Sequence, residues 1–272
     1  MPTGITKNKK RKILITGSSN GVGARLRDDF LEEGHVVIGI AREHRGFVHQ
    51  NYIPFNIDLK NTKELKSQYN TIVKQHGDID IIIINAGYGE FKELEQFSDQ
   101  QIIDLFSVNL ISQILLVKAL LPNMKKNVVE EIPDQVRDDE CGIRRDDCDE
   151  HGVWNDEGRV GAKKIIFIGS TAALEGGSKG TVYCATKYAL RGFASSLRKE
   201  CSKNNIAVSI INPGMIKTEF YDKQNFTHGD ELENYILPSD ISDIVRLISI
   251  SDNNFNMDEI NLTPMKKVIK FK

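Results

Sequence analysis

The chain has 272 residues, 40% of them hydrophobic, and a formal net charge of -2 at pH 7. This length and composition allow one substantial core, and the near-neutral charge gives no reason to expect nucleic acid as a partner. The apolar stretch 110–122 is too short to span a bilayer and the N-terminus lacks a signal-peptide core, so we expect a cytoplasmic single domain without a membrane partner.

Short apolar runs alternate with amphipathic stretches along the chain. The runs have the near-continuous apolar character of strands that are covered on both faces. They predict strands at 13–16, 36–41, 52–57, 79–85, 164–169, 207–212 and 260–262. The stretches between them have helical apolar spacing, at 21–33, 62–75, 99–121, 181–203 and 239–249. This order predicts an α/β fold, a doubly wound parallel sheet (Rossmann fold) with helices on both faces.

A glycine-rich turn follows the first predicted strand and opens the first predicted helix. Glycines there allow a tight turn and let the backbone approach a pyrophosphate, while the helix N-terminus favours the anion. The pattern predicts dinucleotide binding by Gly17, Ser19, Asn20, Gly21, Val22 and Gly23.

The end of the second predicted strand bears on the choice between NADP and NAD. An acidic residue there bonds a free ribose 2′-hydroxyl, whereas arginine suits a 2′-phosphate. In this chain Ala41 is followed by Arg42, which favours NADP. The other interpretation is that Arg42 and Arg45 are solvated loop charges paired with Glu43.

The segment 127–162 interrupts the alternation of strands and helices. It is polar and heavily charged, and it offers little apolar surface to offset the entropy of ordering. We expect a poorly ordered insertion between a helix and the fifth strand, at the sheet edge opposite the ligand crevice. Its Cys141, Cys148 and His151 lack the paired spacing of structural zinc ligands, so no metal site is expected.

Tyr183 and Lys187 are one helical turn apart, and Ser170 precedes the tyrosine by thirteen residues. An ammonium group about 4 Å from a phenol attracts the phenolate by about 4 kcal/mol at an effective dielectric near 20, before desolvation. This attraction would lower the tyrosine pKa from about 10 and allow Tyr183 to act as acid and base near pH 7. Taken alone, the pair also fits an apolar ring packed beside a solvated amine.

In this order, and together with Asn85-Ala86-Gly87 and Asn109, these motifs closely resemble those of the short-chain dehydrogenase/reductase family. The C-terminal part is similar to the branch of NADP-dependent 3-hydroxy acid dehydrogenases and oxoacyl reductases. The resemblance implies that Tyr183 is the acid/base and that Lys187 lowers its pKa and holds the nicotinamide ribose. It also implies that Ser170 bonds the substrate oxygen and that Asn109 supports a water leading to Lys187.

Further cofactor contacts follow from the resemblance alone. It implies that Asp58 and Leu59 contact the adenine and that the fourth strand ends on the cofactor with Asn85, Ala86 and Gly87. It also implies a nicotinamide-side loop with Pro213, Gly214 and Thr218. The aromatic segment 215–237 is expected to form a mobile lid over the substrate.

These residues predict an NADP-dependent oxidoreductase that interconverts a secondary alcohol and a carbonyl. The substrate is expected to be a small 3-hydroxy acid or a 3-oxoacyl thioester. The resemblance also implies a homodimer or homotetramer, associated through the helices of Asn109 and Tyr183. The alternative is a nucleotide-binding regulatory protein with little turnover, which would have no need for Tyr183 and Lys187 together.

Overall fold

The computed structural model describes residues 10–126, 162–251 and 255–272. Nearly all of the predicted insertion, 127–161, lies outside the described residues. The chain leaves the last helix before this segment at Lys126 and enters the next strand at Lys163. Lys163 is at the amino end of its parallel strand, so the segment is attached at the edge opposite the strands' carboxyl ends.

Parallel pairing of short, Ile- and Val-rich strands forms the centre of the molecule. The strands are β1 (Lys12–Thr16), β2 (Val36–Ala41), β3 (Tyr52–Asn56), β4 (Ile81–Ile84), β5 (Lys163–Ile168), β6 (Ile206–Pro213), β7 (Phe226–His228), β8 (Glu259–Leu262) and β9 (Ile269–Phe271). Within the described residues, seven of them form one parallel sheet in the order β3-β2-β1-β4-β5-β6-β8. The order reverses between β1 and β4, which confirms the predicted doubly wound sheet and puts its ligand crevice at that switch point.

Helices cover both faces of the sheet. They are α1 (Gly21–Glu32), α2 (Thr62–His76), α3 (Asp99–Phe106), α4 (Ser112–Lys126), α5 (Thr181–Cys201) and α6 (Pro238–Ile250). Helices α2, α4 and α5 share one apolar core, and α1 and α6 share the other. Strand β1 shows why two cores form: Leu14 faces the first, whereas Ile13 and Ile15 face the second.

One helical path replaces the single helix predicted at 99–121. A π-helical segment, Ser107–Ile111, joins α3 to α4, and the path continues to Lys126. By length and composition alone, Asp99–Lys125 is therefore long and apolar enough to cross a membrane. The sequence had indicated only the shorter apolar stretch 110–122, which is too short to do so. Its Leu116, Leu120 and Met124 are buried in the core, as in a helix that packs on a sheet.

Candidate active site

The glycine-rich turn between β1 and α1 has a backbone that favours glycine. Gly17 has φ +71° and Gly21 has φ +52°, in the left-handed region. A Cβ added to Gly23 would lie 2.1 Å from the Gly17 carbonyl oxygen, so the helix packs directly against the turn. With α1 beginning at Gly21, this turn fits a dinucleotide pyrophosphate.

A polar clamp joins the glycine-rich turn to the end of β4. The Thr16 hydroxyl accepts hydrogen bonds from the backbone N–H groups of Asn85 and Ala86, both at 3.0 Å. The Asn85 side chain donates to the carbonyls of Thr16 and Gly17, at 3.0 and 3.3 Å. The clamp holds both sides of the switch point together, and the role of Thr16 in it was not predicted from the sequence.

Asn109 lies inside the π-helical segment and is fully buried. Its amide oxygen accepts from the Tyr88 N–H at 3.0 Å, and its amide nitrogen donates to the Tyr88 carbonyl at 2.9 Å and to the Thr186 hydroxyl at 3.1 Å. A Cβ added to Gly87 would lie 3.2 Å from the Asn109 oxygen and 3.6 Å from the Lys187 ammonium. Asn109 therefore ties the loop after β4 to the helix that carries Lys187.

The structure brings Ser170, Tyr183 and Lys187 together at the carboxyl end of β5. Ser170 lies two residues beyond Ile168, the last residue of β5, and its side chain hydrogen-bonds to Tyr183. The Lys187 ammonium donates to the Ile168 carbonyl at 3.3 Å and lies 5.8 Å from the centroid of the Tyr183 ring. Both side chains are buried, so the solvated amine of the alternative interpretation does not describe Lys187.

Burial shifts both titrating groups toward their neutral forms. It raises the pKa of Tyr183 to about 12, although the hydrogen bond with Ser170 opposes this shift. It lowers the pKa of Lys187 to about 8. The predicted lowering of the Tyr183 pKa by Lys187 is thus reversed here, because desolvation of the phenolate is the largest influence and the group that opposes it is Ser170 rather than Lys187.

The remaining predicted cofactor residues also follow the carboxyl ends of strands. Arg42 is exposed immediately after β2, and Asp58 and Leu59 come shortly after β3. Beyond β6, the Gly214 N–H donates to the Leu262 carbonyl at 2.7 Å. Pro213 is the last residue of β6.

The predicted lid contacts the glycine-rich turn. The Thr218 methyl carbon would lie 3.3 Å from a Cβ at Gly21. Next to it, Glu219 accepts from the Asn20 amide at 3.2 Å and from the Arg45 guanidinium at 3.4 Å. Glu219 and Arg45 were missing from the predicted site, since only the fold brings lid, turn and β2 loop together.

The lid also contains β7, which pairs antiparallel with β9 in a small second sheet. The pairing places Phe226 opposite Phe271, and the Gly229 N–H extends it by donating to the Val268 carbonyl at 3.1 Å. The lid is therefore held by a strand more than 40 residues further along the chain.

The fold and this Ser-Tyr-Lys arrangement are those of a nicotinamide-dependent type of oxidoreductase. A family model for short chain dehydrogenase matches residues 11–132 and 157–228, more than half of the chain. The chain belongs to the short-chain dehydrogenase/reductase family and is an enzyme of that type.

Curated relatives are similar at low identity. The 3-oxoacyl-acyl-carrier-protein reductase FabG of Buchnera aphidicola is 29% identical over 222 residues, covering 79% of this chain and 78% of the relative. The NADP-dependent 3-hydroxy acid dehydrogenase of Schizosaccharomyces pombe is 25% identical over 255 residues, covering 86% and 85%.

Solved structures share the fold. A 4-hydroxyisoleucine dehydrogenase complexed with NADH has a TM-score of 0.72 and 22% identity, covering 94% of this chain and 97% of that one. ElxO with NADP bound also has a TM-score of 0.72, at 20% identity, with 94% and 98% covered. At these identities the likeness shows the fold alone.

Proposed function

We propose that this enzyme uses NADP to interconvert a secondary alcohol and a carbonyl, with Tyr183 as the acid/base. The observation that carries the proposal is the grouping of half-buried Ser170 with buried Tyr183 and Lys187 at the carboxyl end of β5. When bound, the dinucleotide supplies or accepts the hydride. The turn residues, the Asn85-Ala86-Gly87 segment and Lys187 would hold it.

The protein groups manage the proton. In the direction of reduction, the Tyr183 hydroxyl donates its proton to the carbonyl oxygen, and the Ser170 hydroxyl stabilises the charge that develops there by a hydrogen bond. A tyrosine whose pKa is raised to about 12 is neutral near pH 7 and thus in the form that donates. The Lys187 pKa of about 8 leaves that group able to take up or release a proton close to neutral pH.

The choice of NADP rests on Arg42, with Arg45 close by on the same loop. A guanidinium recognises a phosphate by paired hydrogen bonds. The name of one relative, the NADP-dependent 3-hydroxy acid dehydrogenase, supports the same choice. The names of the two relatives suggest either a small 3-hydroxy acid or a 3-oxoacyl thioester as substrate. A cytoplasmic homodimer or homotetramer stays part of the proposal.

NADPH oxidation against a panel of 3-oxo acids, their esters and aldehydes tests the proposal. Tyr183→Phe should abolish turnover while NADPH binding, followed by cofactor fluorescence, is retained. Tyr188→Phe is the matched control, since Tyr188 lies on the same helix but is 43% exposed. Tight NADPH binding without turnover on any carbonyl would refute the enzymatic proposal and favour a regulatory protein.

A further inference from the structure

Five aromatic rings, that of Tyr183 included, form a continuous cluster. We define this aromatic cluster as Phe91, Tyr183, Phe220, Tyr221 and Phe226. Resting on the proposed function, we propose that the substrate is a carbonyl compound whose flanking groups are uncharged and apolar, an aryl ring or alkyl chain, held against Phe91 and Phe220.

Two rings of the cluster contact Tyr183 directly. The centroid of Phe91 lies 5.2 Å from that of Tyr183, and the centroid of Phe220 lies 6.0 Å from it. Phe91 and Phe220 are themselves 6.3 Å apart in an edge-on arrangement. The surface next to the Tyr183 ring is therefore aromatic carbon, against which a substituent of the carbonyl can pack.

The backbone makes room for these rings. A Cβ added to Gly89 would lie 2.5 Å from the Phe220 ring and 2.6 Å from the Phe91 ring. Both phenylalanines are nevertheless only half-buried, unlike the ring of Phe167 in the sheet. Half-buried rings beside a reacting group leave apolar surface that a ligand can cover, which is how small-molecule sites obtain most of their affinity.

Tyr221 is the one lid residue of the aromatic cluster that carries a polar group, and that group is uncharged. Burial, and after it the adjacent Tyr183, raise the pKa of Tyr221 above its ordinary range, so its hydroxyl stays neutral. This hydroxyl can donate a hydrogen bond to an ester or thioester oxygen. It cannot neutralise a carboxylate.

Two lysines next to residues of the cluster, Lys92 and Lys272, are engaged elsewhere. Lys92 donates to Glu90 and Gln101, both at 2.8 Å, and Lys272 donates to the Tyr221 carbonyl at 2.7 Å. A free carboxylate placed among the rings would lose its hydration without gaining these ammonium groups, which is costly. Of the two substrates suggested by the relatives' names, the thioester therefore fits this pocket and the free acid does not.

Strand pairing fixes the outer part of the cluster. Phe226 lies on β7 and packs against Phe91 with centroids 5.0 Å apart, while Tyr221 is 5.8 Å from Phe226. Because β9 pairs with β7 at Phe226, the rings are held by main-chain bonds as well as by contact with one another. The pocket wall is thus positioned by the fold rather than by a loop alone.

A comparison of matched substrates tests the inference on the full-length chain. Initial rates with NADPH are measured for 3-oxobutanoate, its ethyl ester, and ethyl 3-oxo-3-phenylpropanoate. The inference expects kcat/KM to be about 100-fold higher for the esters than for the acid, a difference of the size that unpaired charge in a closed site produces. Equal or better use of the acid would overturn this inference while leaving the proposed function intact.

Variants of the wall give a second readout. Phe220→Ala and the milder Phe220→Leu should raise KM for the phenyl ester about tenfold and leave KM for NADPH unchanged, since the lost contact is apolar area on the substrate side. Phe255→Ala removes an exposed ring far from this cluster in sequence and should change neither constant. An unchanged ester KM in folded Phe220→Leu would overturn the inference, and absence of turnover on all three carbonyls would refute the proposed function together with it.

Discussion

Replacing Asn109 by alanine tests whether the clamp on the loop after β4 supports the active site. The change removes three hydrogen bonds, two to the main chain of Tyr88 and one to Thr186. Thr186 keeps a partner, because its hydroxyl also donates to the Tyr183 carbonyl at 2.8 Å. The cost therefore falls mainly on the N–H and the carbonyl of Tyr88.

Leaving a buried polar group unpaired costs about 1–3 kcal/mol, so two such groups on Tyr88 should cost about 3 kcal/mol in this partly buried loop. For a domain of this size, 1 kcal/mol corresponds to about 2–4 °C in the melting temperature. We expect Asn109→Ala to lower the melting temperature by about 6–12 °C. The same variant should lose activity, because Gly87 and Lys187 no longer share a fixed neighbour.

Calorimetry or circular dichroism on the full chain measures the change. Asn70→Ala is the matched control, since Asn70 is an exposed residue of α2 and should leave the melting temperature nearly unchanged. A decrease of less than about 2 °C for Asn109→Ala would refute the clamp, because it would mean that Tyr88 recovers its partners elsewhere.

Three further predictions concern pH, the lid and the cofactor. Burial lowers the pKa of Lys187 from 10.5 to about 8. Between these two pH values the folded chain binds fewer protons than the unfolded chain, so stability rises with pH. Burial raises the pKa of Tyr183 from 10.0 to about 12, so over that range the folded chain binds more protons and stability falls again as pH rises. Urea midpoints should show this maximum near pH 10, Lys187→Met should remove the rise, and a flat wild-type profile would contradict both shifts. Val268 and Lys272 are hydrogen-bonded to the β7 segment, so Lys270, midway between them, is also at a hydrogen-bonded position and Ile269 is not. Lys270→Pro should therefore detach β9 and raise KM for the carbonyl substrate, whereas Ile269→Pro should do so much less. Equal kinetics for the two variants would argue against strand pairing as the cause. Arg42→Ala should raise KM for NADPH and not for NADH, and equal use of both dinucleotides by the wild-type enzyme would exclude NADP preference.

The elements that sequence predicted well are those with local causes. β2 begins and ends where its apolar run does, and the glycine-rich turn has the positive φ angles that its sequence indicates. The π-helical segment was not predicted from the sequence. It carries Asn109, whose side chain bonds to Tyr88, a residue 21 positions earlier, and a tertiary contact of this kind has no local sequence pattern.

Parts of the site were missed for the same reason. Phe91 follows β4 in a loop without a recognisable motif, and its contact with the ring of Tyr183 is visible only in the folded structure. The pairing of β7 with β9 involves two three-residue strands far apart in sequence, which carry no hairpin signal. The direction of the Tyr183 pKa shift was also beyond the sequence, because it depends on how completely the fold buries the ring.

Three consecutive residues of the lid connect the cofactor site to the substrate site. Thr218 lies against Gly21, Glu219 bonds to Asn20, and Phe220 packs on Tyr183. These residues form one short turn, capped by the Thr218 hydroxyl. The lid therefore borders the glycine-rich turn through Thr218 and Glu219, and it borders the ring of the reacting tyrosine through Phe220. Because separate residues make these two sets of contacts, a change at Phe220 alters the wall beside Tyr183 without removing a contact to the turn.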